Sequence, residues 1–152
     1  MTDRMKRGKA RRRLRGAAMT IAALLLCVAV WAEEAFEQQV TDLRADGDLP
    51  QAAAAACEWA SADPGNIDAL QACAELAAQV GRYSEAEDAL RSLLFYMPSD
   101  PASLVALGQV LLDRGRFAEA REQFEEAIRL TGASAPAYAG LARVSVYDSQ
   151  SP

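Results

Sequence analysis

The sequence predicts an all-α chain of repeated helical hairpins, and three observations carry that prediction. Gly47, Gly81 and Gly115 are spaced by 34 and 34 residues, and Ala52, Ala86 and Ala120 keep the same interval. Leu49, Tyr83 and Phe117 repeat it again; Pro64 and Pro98 are also 34 apart, with Gly132 at the third equivalent place. Between these markers the apolar residues recur at i, i+3, i+4 and i+7, which is one face of a helix. The frame defines units 33–66, 67–100 and 101–134, a partial unit 135–147 and a short tail 148–152. A period of this length signals stacked supersecondary units rather than a single globular core.

The first thirty-two residues stand apart from that array. Residues 1–16 hold eight basic residues and one acid, whereas the rest of the chain holds 8 Arg, no Lys and 20 acids, a net of −12. The basic stretch is followed by sixteen residues without charge, Ala17 to Ala32, closed by Glu33-Glu34. As a helix that run is about 24 Å long, short of the roughly 30 Å hydrocarbon core. A basic start, a short apolar run and Val30-Trp31-Ala32 before a polar residue match a secretory signal with cleavage before Glu33. The same segment retained would be an anchor, with Trp31 at the interface. In both cases the positive flank keeps the N-terminus inside, so residues 33–152 are expected to be exported to the periplasm or the outer side of the inner membrane. Leu26 spoils a lipoprotein box at Cys27, and Arg11-Arg12-Arg13-Leu14 lacks the rest of a twin-arginine signal.

Within the units the elements follow in order. In the second, Leu70, Cys73, Ala74 and Ala77 form a first helical face, and Gly81 stops that helix. Tyr83, Ala86, Leu90 and Leu93 form the second face, closed by Met97-Pro98. In the third, Asp100-Pro101 supplies an N-cap and a first helical position. Leu104, Leu107, Gly108 and Leu111 then form one face, and Gly115 stops the helix because glycine enters the left-handed region without a Cβ penalty. Phe117, Ala120, Phe124, Ala127 and Leu130 form the second.

These residues resemble the tetratricopeptide repeat family, a 34-residue helix–turn–helix with small residues at positions 8, 20 and 27. Here those positions hold Val40, Ala74 and Gly108; Ala52, Ala86 and Ala120; Trp59, Leu93 and Ala127. The resemblance implies a right-handed α-solenoid, preceded here by the signal or anchor helix. The first unit departs most: Gln39 stands at position 7, and Trp59 at position 27 faces Ala56 at position 24, as though large and small had exchanged places. The partial fourth unit supplies one helix, with Tyr138, Leu141, Ala142 and Ser145 at family positions. A lone last helix is a common cap of a solenoid, but Val144, Val146 and Tyr147 put apolar groups elsewhere on it. An outer binding surface and a cut from a longer array both account for that.

The chain contains no histidine, which excludes Ser-His-Asp and Cys-His nucleophile systems and His-ligated metal. No catalytic, cofactor-binding or metal-binding set emerges, and the acidic body argues against nucleic acid as partner. Cys57 at position 25 reads as outward and Cys73 at position 7 as core-facing, directions that do not favour a bridge. Glu85-Glu87-Asp88 and Glu122-Glu125-Glu126 read as solvent faces, with Arg91, Arg121 and Arg129 as partners one turn away.

The family resemblance places function on a concave groove formed by the first helix of each unit. Its candidate residues here are Glu34, Glu37, Thr41, Asp68, Gln71, Glu75, Val105, Gln109, Leu112 and Arg143. The body has no Lys and its only Asn, Asn66, is in a loop, so the family's carboxylate clamp is absent. The expected role is a non-enzymatic interaction module, an adaptor, scaffold or assembly factor of a bacterial-type envelope. Its partner would be a protein or peptide with basic and apolar portions, and a membrane would be met only through residues 17–32 if these are uncleaved. An accessory region of a larger exported enzyme and a membrane-anchored subunit of a complex are the alternatives.

Overall fold

The computed structural model describes residues 33–148, and every regular element among them is an α-helix. The expected signal or anchor at 17–32, and residues 149–152 of the tail, lie outside the described residues. Helix α1 covers 33–45, followed by α2 (Leu49–Ala62), α3 (Ile67–Gln79), α4 (Tyr83–Tyr96), α5 (Pro101–Asp113), α6 (Phe117–Thr131) and α7 (Ala135–Asp148). The chain divides between Gln38 and Gln39 into two units. Residues 33–38 are helical and, apart from the half-buried Phe36, exposed. The rest of α1 and helices α2 to α7 belong to the unit from Gln39 onward. No described helix is long and apolar enough to cross a membrane.

One turn is used three times. The amide of Arg82 donates to Ala77 O at 2.8 Å and that of Gly81 to Ala78 O at 3.2 Å; Arg116 to Leu111 O (2.8 Å) and Gly115 to Leu112 O (3.0 Å) repeat this. Asp48 to Leu43 O (3.0 Å) and Gly47 to Arg44 O (3.2 Å) do the same one unit earlier. The paired bonds satisfy the last carbonyls of each first helix. They require the left-handed backbone, φ +79° at Gly81 and +75° at Gly115, which explains glycine at the 34-residue markers.

From α3 to α6 the helix starts alternate in chemistry. The Asn66 and Asp100 side chains accept from the amides of Ala69 (3.0 Å) and Ser103 (2.9 Å), capping α3 and α5. A hydrogen bond from the Ser103 hydroxyl, 2.6 Å away, holds the Asp100 carboxyl below its ordinary value against the opposing effect of burial. Helices α4 and α6 begin instead at Arg82 and Arg116, which have no side-chain cap. Their guanidinium groups pair with first-turn acids, Glu85 (2.9 Å) and Glu119 (2.7 Å), which themselves sit at the positive end of the helix.

Each helix from α2 to α7 packs on the next, and small residues set the spacing. Leu70, Leu76, Leu90 and Leu93 are buried with Ala74 and Ala86 in the middle hairpin; Leu104, Leu107, Leu111, Ala120 and Ala127 are buried in the next. Gly108 exists for Phe124: a Cβ there would lie 2.7 Å from the ring, and one at Gly140 of α7 would also collide with it. The ring therefore lies between two helices that approach it with bare backbone, and it is 1% exposed. In α2, Ala56 and Trp59 are both buried.

Three expectations need correction. First, Cys57 and Cys73 form a disulfide with Cα atoms 4.6 Å apart. Position 25 is not outward here, because α2 packs along α3 and brings it over position 7 of the next unit. Second, the buried residues of α7 are Ala137, Gly140 and Val144, while Tyr138, Ala142 and Ser145 are exposed and Leu141 is half-buried. Positions 4, 8 and 11 of a full unit face its own second helix, and α7 is the last described helix. Among the described helices it packs on α5 and α6, and these set its burial. Third, Glu87 is not on a solvent face but is 5% exposed. Arg91 (2.8 Å), Arg116 (2.6 Å) and Arg114 all donate to its carboxylate, tying α4 to the α5–α6 turn. Burial raises its pKa, but the hydrogen bonds from Arg91 and Arg116 outweigh that and hold it below the ordinary value.

Candidate functional site

The first helices of the second and third units, α3 and α5, leave a hollow of about 410 Å³ between them. Its size falls within the range of small-ligand and side-chain pockets. Alanines make the room: Ala74 and Ala78 on α3 and Ala102 and Ala106 on α5 line it, with Leu90 and Leu93 of α4 beneath. Leucine at those four alanine sites would fill the space. The rim is polar, with Gln71, Glu75 and Gln79 on one side and Gln109 and Asp113 on the other.

The rim is also internally paired. Arg44 donates to Glu75 at 3.1 Å, and Gln79 donates to the same oxygen at 3.1 Å. From the far side Arg143 of α7 donates to Gln109 Oε1 at 2.6 Å and to Asp113 at 3.3 Å, while Gln109 donates to Asp113 at 2.9 Å. Both acids thus already hold a cation contributed by a neighbouring unit. All these groups are substantially exposed, so the pairs are weak and exchangeable.

Of the residues expected in the groove, Gln71, Glu75 and Gln109 line this hollow, and Arg143 closes one end of it. Asp68 is exposed in the first turn of α3 and Thr41 is exposed on α1; neither lines the hollow. Glu34 and Glu37 are exposed and belong to the first unit. Val105 is half-buried and outside the lining. Leu112 requires a correction: at 4% exposure it is a packing residue beside the α5–α6 turn, with Tyr83, Phe117 and Tyr147 as neighbours around a separate hollow. Its position in the frame is right for the groove, but the Phe117–Tyr147 stack, centroids 5.3 Å apart, helps enclose that end. The 34-residue frame also puts Ala78, Gln79, Ala102, Ala106 and Asp113 at groove positions, and all five line the hollow; of the four alanines only Ala74, a packing position in the frame, joins them unexpectedly.

Stacked helical hairpins with a small-residue floor and a polar rim define a helical-repeat scaffold. Residues 72–139 match the model of the tetratricopeptide repeat family, which makes that stretch of the chain tetratricopeptide repeat. The fold is similar to a tetratricopeptide repeat protein from Parabacteroides merdae, at 22% identity and TM-score 0.65 over 72% of this chain and 43% of that one. It is similar to the second repeat domain of human RPAP3, solved with the HSP70 peptide SGPTIEEVD, at 18% identity and TM-score 0.64 over 72% and 92% of the two chains. MamA from Desulfovibrio magneticus RS-1 is a third likeness, at 17% identity and TM-score 0.69 over 77% and 66%. The chain thus spans less than half of the Parabacteroides protein. No curated protein matches it.

Proposed function

We propose that this protein is a non-enzymatic adaptor or assembly factor of a bacterial-type envelope that holds a partner segment in the hollow between α3 and α5. The hollow itself carries the reading, since four alanines keep open an apolar space that ordinary core packing would close. The peptide complex of human RPAP3 supports a peptide ligand for this fold. An apolar side chain suits the floor, and a basic one suits Glu75 or Asp113 once it displaces Arg44 or Arg143. Export is supported by the basic-then-apolar pattern of residues 1–32 and by the Cys57–Cys73 bridge, a bond that persists in oxidising compartments.

The deciding experiment is photo-crosslinking in the native host, with a crosslinker at Gln71 and partner identification by mass spectrometry. Ala102→Arg and Ala106→Arg, which fill the hollow from its open side, should abolish the product. Undiminished crosslinking in both variants would remove the hollow as the site. N-terminal sequencing of the same preparation should begin near Glu33; an intact start in the membrane fraction would establish the anchor.

A further inference from the structure

The second helices carry a feature that the concave hollow does not use. Between α2 and α4 runs a trough made of two adjoining hollows, about 380 and 280 Å³, that share Pro64 and Ser92. Its floor is the Cys57–Cys73 bridge, Ala60, Leu70 and Ala89. Phe95 and Tyr96 wall one end, their rings 5.2 Å apart and near perpendicular at 84°, and Phe95 is 79% exposed, the most exposed large apolar side chain described. At the corresponding place between α4 and α6 stand the mutually paired charges of Glu87, Arg91, Arg116 and Glu119. At the other end of the trough lies Asp88, which is exposed and whose carboxylate has no hydrogen bond or ion pair among the described residues.

Asp88, Ser92 and Phe95 follow at i, i+4 and i+7 on one face of α4. Seven residues of helix separate the acid from the aromatic notch by about 10 Å, which an extended chain covers in about three residues. We infer that this trough is a second docking surface. It takes an extended partner segment that offers a basic side chain to Asp88 and, three residues away, an apolar side chain to the notch of Pro64, Phe95 and Tyr96. Charge selects the basic residue, since the body is strongly acidic and Asp88 lacks a cation of its own. The exposed aromatic pair supplies the kind of anchor on which interface energy concentrates.

The test uses the full chain and fluorescein-labelled peptides carrying one Arg and one Phe in a Gly-Ser background, with the two set one, three or six positions apart. Fluorescence polarisation should give the tightest binding at a separation of three. With the concave hollow closed by Ala106→Arg in every protein compared, Asp88→Asn and Phe95→Ser should each weaken it by about tenfold. Both altered residues are exposed, and circular dichroism melts matching the parent show that folding is intact. In that Ala106→Arg background, binding that ignores spacing, binding that survives both substitutions or no binding at any spacing would each overturn the inference.

Discussion

Phe124 and Glu87 show two opposite ways in which one residue joins three helices. The Phe124 ring is held by absence, since Gly108 and Gly140 give it space that any side chain would take. Gly108→Leu should therefore cost about 3 kcal/mol through overpacking, whereas Glu122→Ala on an exposed position should stay within about 0.5 kcal/mol. Urea melts of the two variants compare them directly, and equal midpoints would show that the contact is not tight. Glu87 joins by charge. Its folded carboxyl lies below the ordinary value of 4.5, so its contribution is complete above that value and is lost as pH falls through the folded one. Glu87→Gln should flatten the loss of stability below pH 4.5 and lower stability at neutral pH by about 2 kcal/mol, because the three half-exposed arginines soften the usual cost of an unpaired buried charge. Thermal melts across that range measure both effects.

At the scale of elements, the hairpins were legible because their markers are local. A glycine that must adopt positive φ, an Asx cap and a 3.6-residue period each announce themselves within a few residues, and α3 to α6 obey them. What was not legible depends on neighbours. Tyr138, Ala142 and Ser145 hold family positions, yet burial in α7 falls on Ala137, Gly140 and Val144, the face that α7 packs on α5 and α6 among the described helices. Glu87 reads as one acid among three until Arg114 and Arg116 arrive from 27 and 29 residues away. The groove was legible as a set of positions, but Leu112 shows that position does not fix exposure. The Cys57–Cys73 bridge belongs to the same class, a contact between elements. It joins residues 16 apart, and closing a loop of that length contributes about 3 kcal/mol. Reduction should lower the unfolding midpoint accordingly, and Cys57→Ala with Cys73→Ala should match the reduced protein without further change on reduction.

For the whole molecule the governing quantity is charge. The body carries a net of −12, which favours encounter with basic partners and makes that encounter salt-sensitive. Inside the concave hollow the same acids are already answered by Arg44 and Arg143. Under the proposed function the field would act on approach, and binding a basic ligand would exchange one cation for another. Arg143→Ala should then strengthen binding of a basic partner severalfold, chiefly by slowing dissociation, while Glu75→Lys should slow association and weaken its dependence on salt. Stopped-flow kinetics at two ionic strengths separate these outcomes; identical behaviour of both variants would show that the rim acids do not meet the ligand.

The disulfide also has a mechanical consequence. An array of hairpins loaded at its two ends should peel apart one helix at a time, each adding its extended length to the tether. Between Cys57 and Cys73 that length is withheld, because the bridge carries the tension past the end of α2, the Asp63–Asn66 loop and the start of α3. The oxidised chain should reach full extension roughly 50 Å shorter than the reduced one, with the missing increment confined to the α2–α3 hairpin. Single-molecule force-extension curves with and without reductant would show it as one absent step.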